Sequence, residues 1–245
     1  MVSLPEGAQV LPDAEAVARE AAERLIAACG EAQRADGDER IAICLSGGST
    51  PKRLYALLAG PDYAARVPWT QIHWFFGDDR AVPWDDARSN VRMVREAFGH
   101  GSEIPPTHLH FMPSDEGIEA GAKAYERTLL DFYGADTLTA ERPLFDLVLL
   151  GLGEDGHTAS LFPGKPEVGE ATALAVPVPE AGLEPFVPRI SLTVPALTSA
   201  RHVLFLVTGA GKRTPLARLA AGEDLPAGAI QGPQVAWLLD EAAAG

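Results

Sequence analysis

The chain has 245 residues, of which 47% are hydrophobic, 22% charged and 7% aromatic, a composition that excludes disorder, collagen and coiled coil. Acidic residues outnumber basic ones by 34 to 20, for a formal net charge of −14, and a field of that sign repels nucleic acid and anionic membrane surfaces. The two cysteines, Cys29 and Cys44, lie in apolar stretches and supply neither a disulfide framework nor a metal-ligand set.

In chain order, Met1 to Gly7 lacks the basic and apolar segments of a secretory leader, and no apolar run reaches the roughly 18 residues that cross a bilayer. A cytoplasmic protein with reduced thiols is expected. A helical period covers Ala14 to Ala28, and the short apolar run Ile41 to Leu45 reads as a buried strand. Leu45-Ser46-Gly47-Gly48-Ser49-Thr50-Pro51 then leads into a helix over Pro51 to Ala59, with Ser/Thr expected at its cap and Pro at its first position. Such a turn presents backbone N–H groups at the positive end of a helix. Gly47 and Gly48 let an anion approach the backbone, so phosphate is the natural ligand of this stretch, a plain strand-to-helix turn being the alternative. It is not a Walker A loop, because no Gly-Lys-Ser/Thr follows at the required spacing.

The strand Ile72 to Phe76 delivers Gly77-Asp78-Asp79-Arg80 at its carboxyl end, and Ser89-Asn90 opens a helix over Asn90 to Ala97. The Arg80 guanidinium suits an oxyanion or carboxylate, or pairs with the acids of its own loop. The rings of His108-Leu109-His110 are expected on opposite sides of a strand, and no H-E-x-x-H or cysteine cluster accompanies them, so no metal is assigned. A helix over Ile118 to Phe132 precedes the strand Phe145 to Leu150. Next comes Gly151-Leu152-Gly153-Glu154-Asp155-Gly156-His157-Thr158, a formal G-x-G-x-x-G match. Glu154 and Asp155 would sit where a pyrophosphate should lie, and Pro163-Gly164 breaks the chain before a crossover helix, which argues against a dinucleotide. As a loop at the carboxyl end of a strand, the segment presents His157 as a candidate general base and Asp155 as the carboxylate that orients it. A hydrogen-bonded structural histidine is the plainer alternative.

The Pro-rich stretch Pro163 to Pro188 is too apolar for a linker and holds a strand over Ala173 to Val178. Two isolated cations follow: Arg189 ahead of Ile190-Ser191-Leu192, and Lys212 after the strand Val203 to Val207 and Gly209-Ala210-Gly211. A helix over Lys212 to Ala221 and the strand Val235 to Leu239 complete the pattern. Buried strands alternating with helices call for right-handed crossovers and a mostly parallel sheet, hence an α/β class. With no internal repeat, residues 1–245 are expected to form one domain, with antiparallel strands in the middle stretch as an open alternative. The nucleophile elbow G-x-S-x-G is absent.

Taken together, Leu45 to Pro51, Gly77 to Arg80 with Val82-Pro83 and Ser89-Asn90, and Gly151 to Gly164 (GLGEDGHTASLFPG) resemble the 6-phosphogluconolactonase family nearly end to end. Arg189 in Arg189-Ile190-Ser191-Leu192-Thr193 and Lys212 extend the likeness, and Asp79 departs from it, since the family more often carries Glu there. The resemblance implies a Rossmann-like, mostly parallel sheet flanked by helices, of the sugar-phosphate isomerase/deaminase type, with no cofactor. It implies hydrolysis of 6-phospho-D-glucono-1,5-lactone in the pentose phosphate pathway, with a small sugar phosphate as partner rather than nucleic acid or membrane. On this reading His157, Asp155 and Arg80 are catalytic. Gly47, Gly48, Ser49, Thr50, Asp78, Asn90, Arg189 and Lys212 bind substrate. The nearest rival, glucosamine-6-phosphate deaminase/isomerase, shares the Asp-Gly-His element but typically carries a Glu soon after the His, where Phe162 stands here. A non-catalytic sugar-phosphate sensor would need a DNA-binding module, and no basic segment is present to serve as one.

Overall fold

The computed structural model describes residues 4–35, 40–99, 103–232 and 234–245. A seven-stranded parallel sheet runs in the order β1-β10-β9-β6-β2-β3-β5. Its strands are β1 (Ala8–Leu11), β2 (Ile41–Leu45), β3 (Ile72–Phe76), β5 (Leu109–His110), β6 (Phe145–Leu150), β9 (Ala200–Val207) and β10 (Val235–Asp240). Every residue of β2 and β6 is buried, which is why both read as unbroken apolar runs rather than alternating ones. A three-stranded antiparallel sheet, β4 (Asp78–Arg80), β8 (Arg189–Leu192) and β7 (Ala175–Val178), stands beside it. Of its strands only β7 lies in the Pro-rich stretch, and its antiparallel pairing with β8 is the arrangement left open there.

Helices α1 (Ala14–Ala35) and α2 (Ser49–Leu58) pack on each other, and α1 also lies along β10, β6 and β9. Helix α3 (Asn90–Phe98) packs on α2, and α4 (Ile118–Tyr133) covers β7 and β8. Short helices α5 (Val194–Thr198), α7 (Pro226–Ala229) and α8 (Glu241–Ala244), with α6 (Arg213–Ala220), fill the remaining connections. The core is built on Trp74, Phe75, Phe76, Phe145, Phe205 and the buried tyrosines Tyr55 and Tyr125. Cys29 and Cys44 are free and buried, and burial pushes the Cys29 thiol up to about 12. Among the described residues no helix is long and apolar enough to cross a membrane.

Chain order decides where a site can form. From β2 the chain moves outward to β3 and β5, then returns to β6 on the other side of β2 and continues outward to β9 and β10. The loops that leave β2 and β6 therefore diverge, and the crevice outside their carboxyl ends is the topological switch point at which open α/β sheets bind ligands. The exits of β2 and β3 are each pinned by a buried tyrosine. Tyr55 donates its hydroxyl to the Ser46 carbonyl (2.8 Å) and accepts from the Ser46 N–H (3.0 Å). Tyr125 does the same for Phe76 at the end of β3, at 3.1 and 2.7 Å. One residue later the chain crosses between sheets at Gly77, whose N–H donates to Leu45 and whose carbonyl accepts from Leu192, both at 2.8 Å.

Two sequence expectations are corrected here. Helix α2 begins at Ser49 with Gly48 as its cap residue and no side-chain cap, so Ser49 and Thr50 occupy the first turn and Pro51 the third position rather than the first. The rings of His108 and His110 do not point to opposite sides. His108 ends a 3₁₀ turn, Pro106–His108, just ahead of β5, and both rings stack against His73, with centroids 3.9 and 5.2 Å away.

Candidate active site

A cavity of about 300 Å³ opens at this switch point, at the small end of the range for ligand sites. It brings together Gly47, Gly48, Ser49 and Thr50 after β2, Asp78, Arg80 and Asn90 from β4 and α3, His157 after β6, Arg189 on β8, and Lys212 at the start of α6. Asp155 stands behind His157 rather than in the cavity wall. Ser46, Glu154, Leu183 and Thr208 also line the cavity. Sequence reasoning gave none of these four a site role. Leu183 carries no local signal, and Thr208 is recognisable only because it follows a strand that proves to be central.

His157 is held from three sides. Its Nδ1 lies 2.6 Å from Asp155 Oδ1, its backbone N–H donates to the same oxygen at 3.1 Å, and its ring packs 4.8 Å from that of Phe162. Burial raises the Asp155 pKa, but the hydrogen bonds from His157 and its charge outweigh that, and the net shift is downward. An ionised carboxylate only accepts, so Nδ1 carries a proton, and in the neutral ring the Nε2 lone pair is left for chemistry. Gly153 makes room for the ring, since a Cβ there would stand 2.0 Å from His157 Nδ1. Arg218 on α6 donates to the Asp155 carbonyl at 2.8 Å and fixes the loop from outside.

The β4 and β8 ladder sets Arg80 directly opposite Arg189 and Asp78 opposite Ser191. Like charges at paired positions repel, and the arrangement spends donors unevenly. Arg189 gives its Nη2 donors to the carbonyls of Leu183 (2.9 Å) and Pro185 (3.0 Å), and Arg80 gives Nη1 to the Arg88 carbonyl (2.5 Å). The Nε of each is buried with no partner among the described residues. Burial pulls the Arg189 pKa down, opposed by Asp78 and Asp155 and reinforced by Arg80, and burial does the same to Lys212 against Glu154 and Asp155. An anion set among these cations would favour their charged forms and engage the orphaned donors. The first turn of α2 adds backbone N–H groups that a helix leaves without internal partners.

Asp78 is buried and accepts from the buried Ser160 hydroxyl at 2.5 Å, which in turn lies 3.5 Å from Arg189 Nη1. Asn90 donates to the Asp78 carbonyl at 2.9 Å and packs on Gly47, where a Cβ would come within 2.3 Å of its Oδ1. Asp79 faces away from the cavity. Its carboxylate accepts from the Asn90 N–H (2.7 Å), the Arg80 N–H (2.8 Å) and the Ser89 hydroxyl (2.9 Å), fixing the entry to α3, while burial raises its pKa against those bonds.

The sequence profile of the family described as glucosamine-6-phosphate isomerases/6-phosphogluconolactonase matches residues 12–237. The chain is 42% identical over 208 residues to a 6-phosphogluconolactonase of Synechocystis sp., covering 82% of each protein. It is 39% identical over 242 residues to that of Nostoc sp., covering 96% of this chain and 95% of the relative. The crystal structure of 6-phosphogluconolactonase from Thermotoga maritima superposes with a TM-score of 0.81 at 30% identity, over 96% of this chain and 99% of that one. The chain is thus a member of the glucosamine-6-phosphate isomerase/6-phosphogluconolactonase family.

Proposed function

We propose that this enzyme hydrolyses 6-phospho-D-glucono-1,5-lactone to 6-phospho-D-gluconate, a step of the pentose phosphate pathway. The observation that carries the reading is the Asp155–His157 pair at 2.6 Å beside a cluster of partly desolvated cations. Water attacks C1 of the lactone and gives its proton to His157 Nε2. Arg80 stabilises the charge that develops on the carbonyl oxygen, and the imidazolium then protonates the departing ring oxygen. The first turn of α2, Arg189 and Lys212 hold the phosphate. Asp78 accepts from a sugar hydroxyl, and Asn90 buttresses the Gly47 turn. A single functional unit is part of the reading, supported by a cavity lined from both sheets. So is a cytoplasmic location, supported by two free thiols.

The test generates the lactone enzymatically from glucose 6-phosphate and follows acid release against the spontaneous rate. Acceleration is expected, and its absence overturns the reading. The same preparation is offered glucosamine 6-phosphate. Ammonia release would install the deaminase reading, which the buried Phe162 against the His157 ring, in the place of a carboxylate, disfavours.

A further inference from the structure

Lys212 stands on a short connection between β9 and α6. Strand β9 ends at Val207, and Thr208 then lines the cavity with its hydroxyl 2.6 Å from that of Thr50 in the first turn of α2. Gly209 follows at φ +94°, which residues other than glycine rarely adopt, and opens the 3₁₀ turn Ala210–Lys212. A lysine side chain is long and flexible, so where its ammonium sits in the cavity depends on how firmly the backbone beneath it is held.

That backbone is held by Asp240, at the end of β10. The Gly209 N–H donates to both oxygens of the Asp240 carboxylate, at 2.9 and 3.1 Å, and Oδ1 also accepts from the Ala243 N–H at 2.8 Å, capping α8. On the other side of Lys212, Arg213 donates from Nε to the Ala242 carbonyl at 2.8 Å. Lys212 is thus bracketed by two bonds to the segment Asp240–Ala243. Asp240 is buried, and burying a carboxylate is costly. A serine or threonine would cap α8 without that cost; what the carboxylate adds is the second oxygen, which faces Gly209.

We propose that Asp240 is a positioning residue for the phosphate grip: by fixing Gly209 it aims the Lys212 ammonium into the cavity, an inference that rests on the phosphate role given to Lys212 above. Asp240→Asn sets an NH₂ against the Gly209 N–H, and Asp240→Ser keeps a cap for α8 while giving up the second oxygen. The test titrates the wild type, both variants, Lys212→Ala and the two double variants calorimetrically with 6-phosphogluconate, and measures kcat and KM alongside. Each Asp240 variant should bind about 3- to 30-fold more weakly and raise KM by a similar factor with kcat retained, and neither should weaken binding further once Lys212 is Ala, the non-additivity of residues that act as one unit. Unchanged affinity in the folded variants, losses that add in the double variants, or a fall in kcat at constant KM overturns the proposal. Failure of both variants to fold would assign the carboxylate to the fold rather than to Lys212 and overturns it too. If Lys212→Ala binds like the wild type, the proposal falls with the phosphate role of Lys212, whereas the lactonase reading stands or falls separately on acid release by the wild type.

Discussion

The Asp155 carboxylate accepts two bonds from one residue, the His157 ring and backbone N–H, and that doubled contact fixes both the tautomer and the direction of the ring. Replacing His157 by Asn should lower kcat by roughly 10²- to 10⁴-fold, the usual worth of a positioned general base, with phosphate binding retained. The measurement is lactone hydrolysis after subtraction of the spontaneous rate, and near-full kcat would send the search for the base elsewhere. Gly153→Ala tests the same geometry without removing a polar atom. Its methyl group would stand 2.0 Å from Nδ1, so the ring must move, and kcat should fall on the order of 100-fold while KM changes little. Lys212→Ala removes a cation whose pKa burial has already lowered. A lost charge-assisted hydrogen bond of about 1.5–3 kcal/mol should raise KM by roughly one to two orders of magnitude. Arg189→Ala should go further, because the guanidinium also holds the carbonyls of Leu183, which lines the cavity, and of Pro185.

Between residues and fold stand the strand exits and the short edge strand. Tyr55→Phe deletes one hydroxyl but leaves both the N–H and the carbonyl of Ser46 buried without it, which should cost about 1–3 kcal/mol in chemical denaturation. A near-neutral result would show that the β2 exit needs no clamp. At the far edge of the sheet, β5 joins β3 through Trp74 opposite Leu109 and Phe75 opposite His110, and the His110 ring stacks on Phe75 at 4.2 Å. Burial, with a smaller contribution from the charge of His108, pulls the His110 pKa from 6.5 to about 4. A lowered histidine pKa means that the unfolded chain takes up a proton before the folded one does. Stability is then fully present above about pH 6.5 and drains away as pH falls toward about 4. The slope should stay well below the ~1.4 kcal/mol per pH unit of one full proton, because His110 is only partly buried. Urea denaturation across this window would show the loss, and His110→Gln should flatten it.

For the molecule as a whole, the site belongs to neither sheet alone. His157 and the α2 turn come from the seven-stranded sheet and Arg80 and Arg189 from the three-stranded one, joined by the single residue Gly77 between β3 and β4. A ligand that bridges both should stabilise the entire fold. At 100 times its Kd, 6-phosphogluconate should add about 2.7 kcal/mol. A single unfolding transition that shifts upward as one is expected, and two transitions of which only one responds would divide the chain into separate units.

Much of this was legible in the linear pattern. The five longest buried strands and the alternation with helices were set by local periodicity. The glycine-rich exits of β2 and β6 and the Asp155-Gly156-His157 triplet carried their chemistry in adjacent residues. Strand β4 was missed because its three residues, Asp78–Arg80, are polar or charged, and strand β8 because Arg189 begins it, so neither shows an apolar run. Sequence also read His108 and His110 as facing apart on one strand, whereas His108 ends a 3₁₀ turn ahead of β5 and both rings meet the remote His73. The pairing of Arg80 with Arg189, the Ser160 bridge to Asp78, and the reach of Glu154 toward Gly211 all join positions distant along the chain. Periodicity and motif spacing record only neighbours in sequence. Which charges face one another across the cavity was decided by the reversal of strand order at β2 and by the passage between sheets at Gly77, both properties of the folded chain alone.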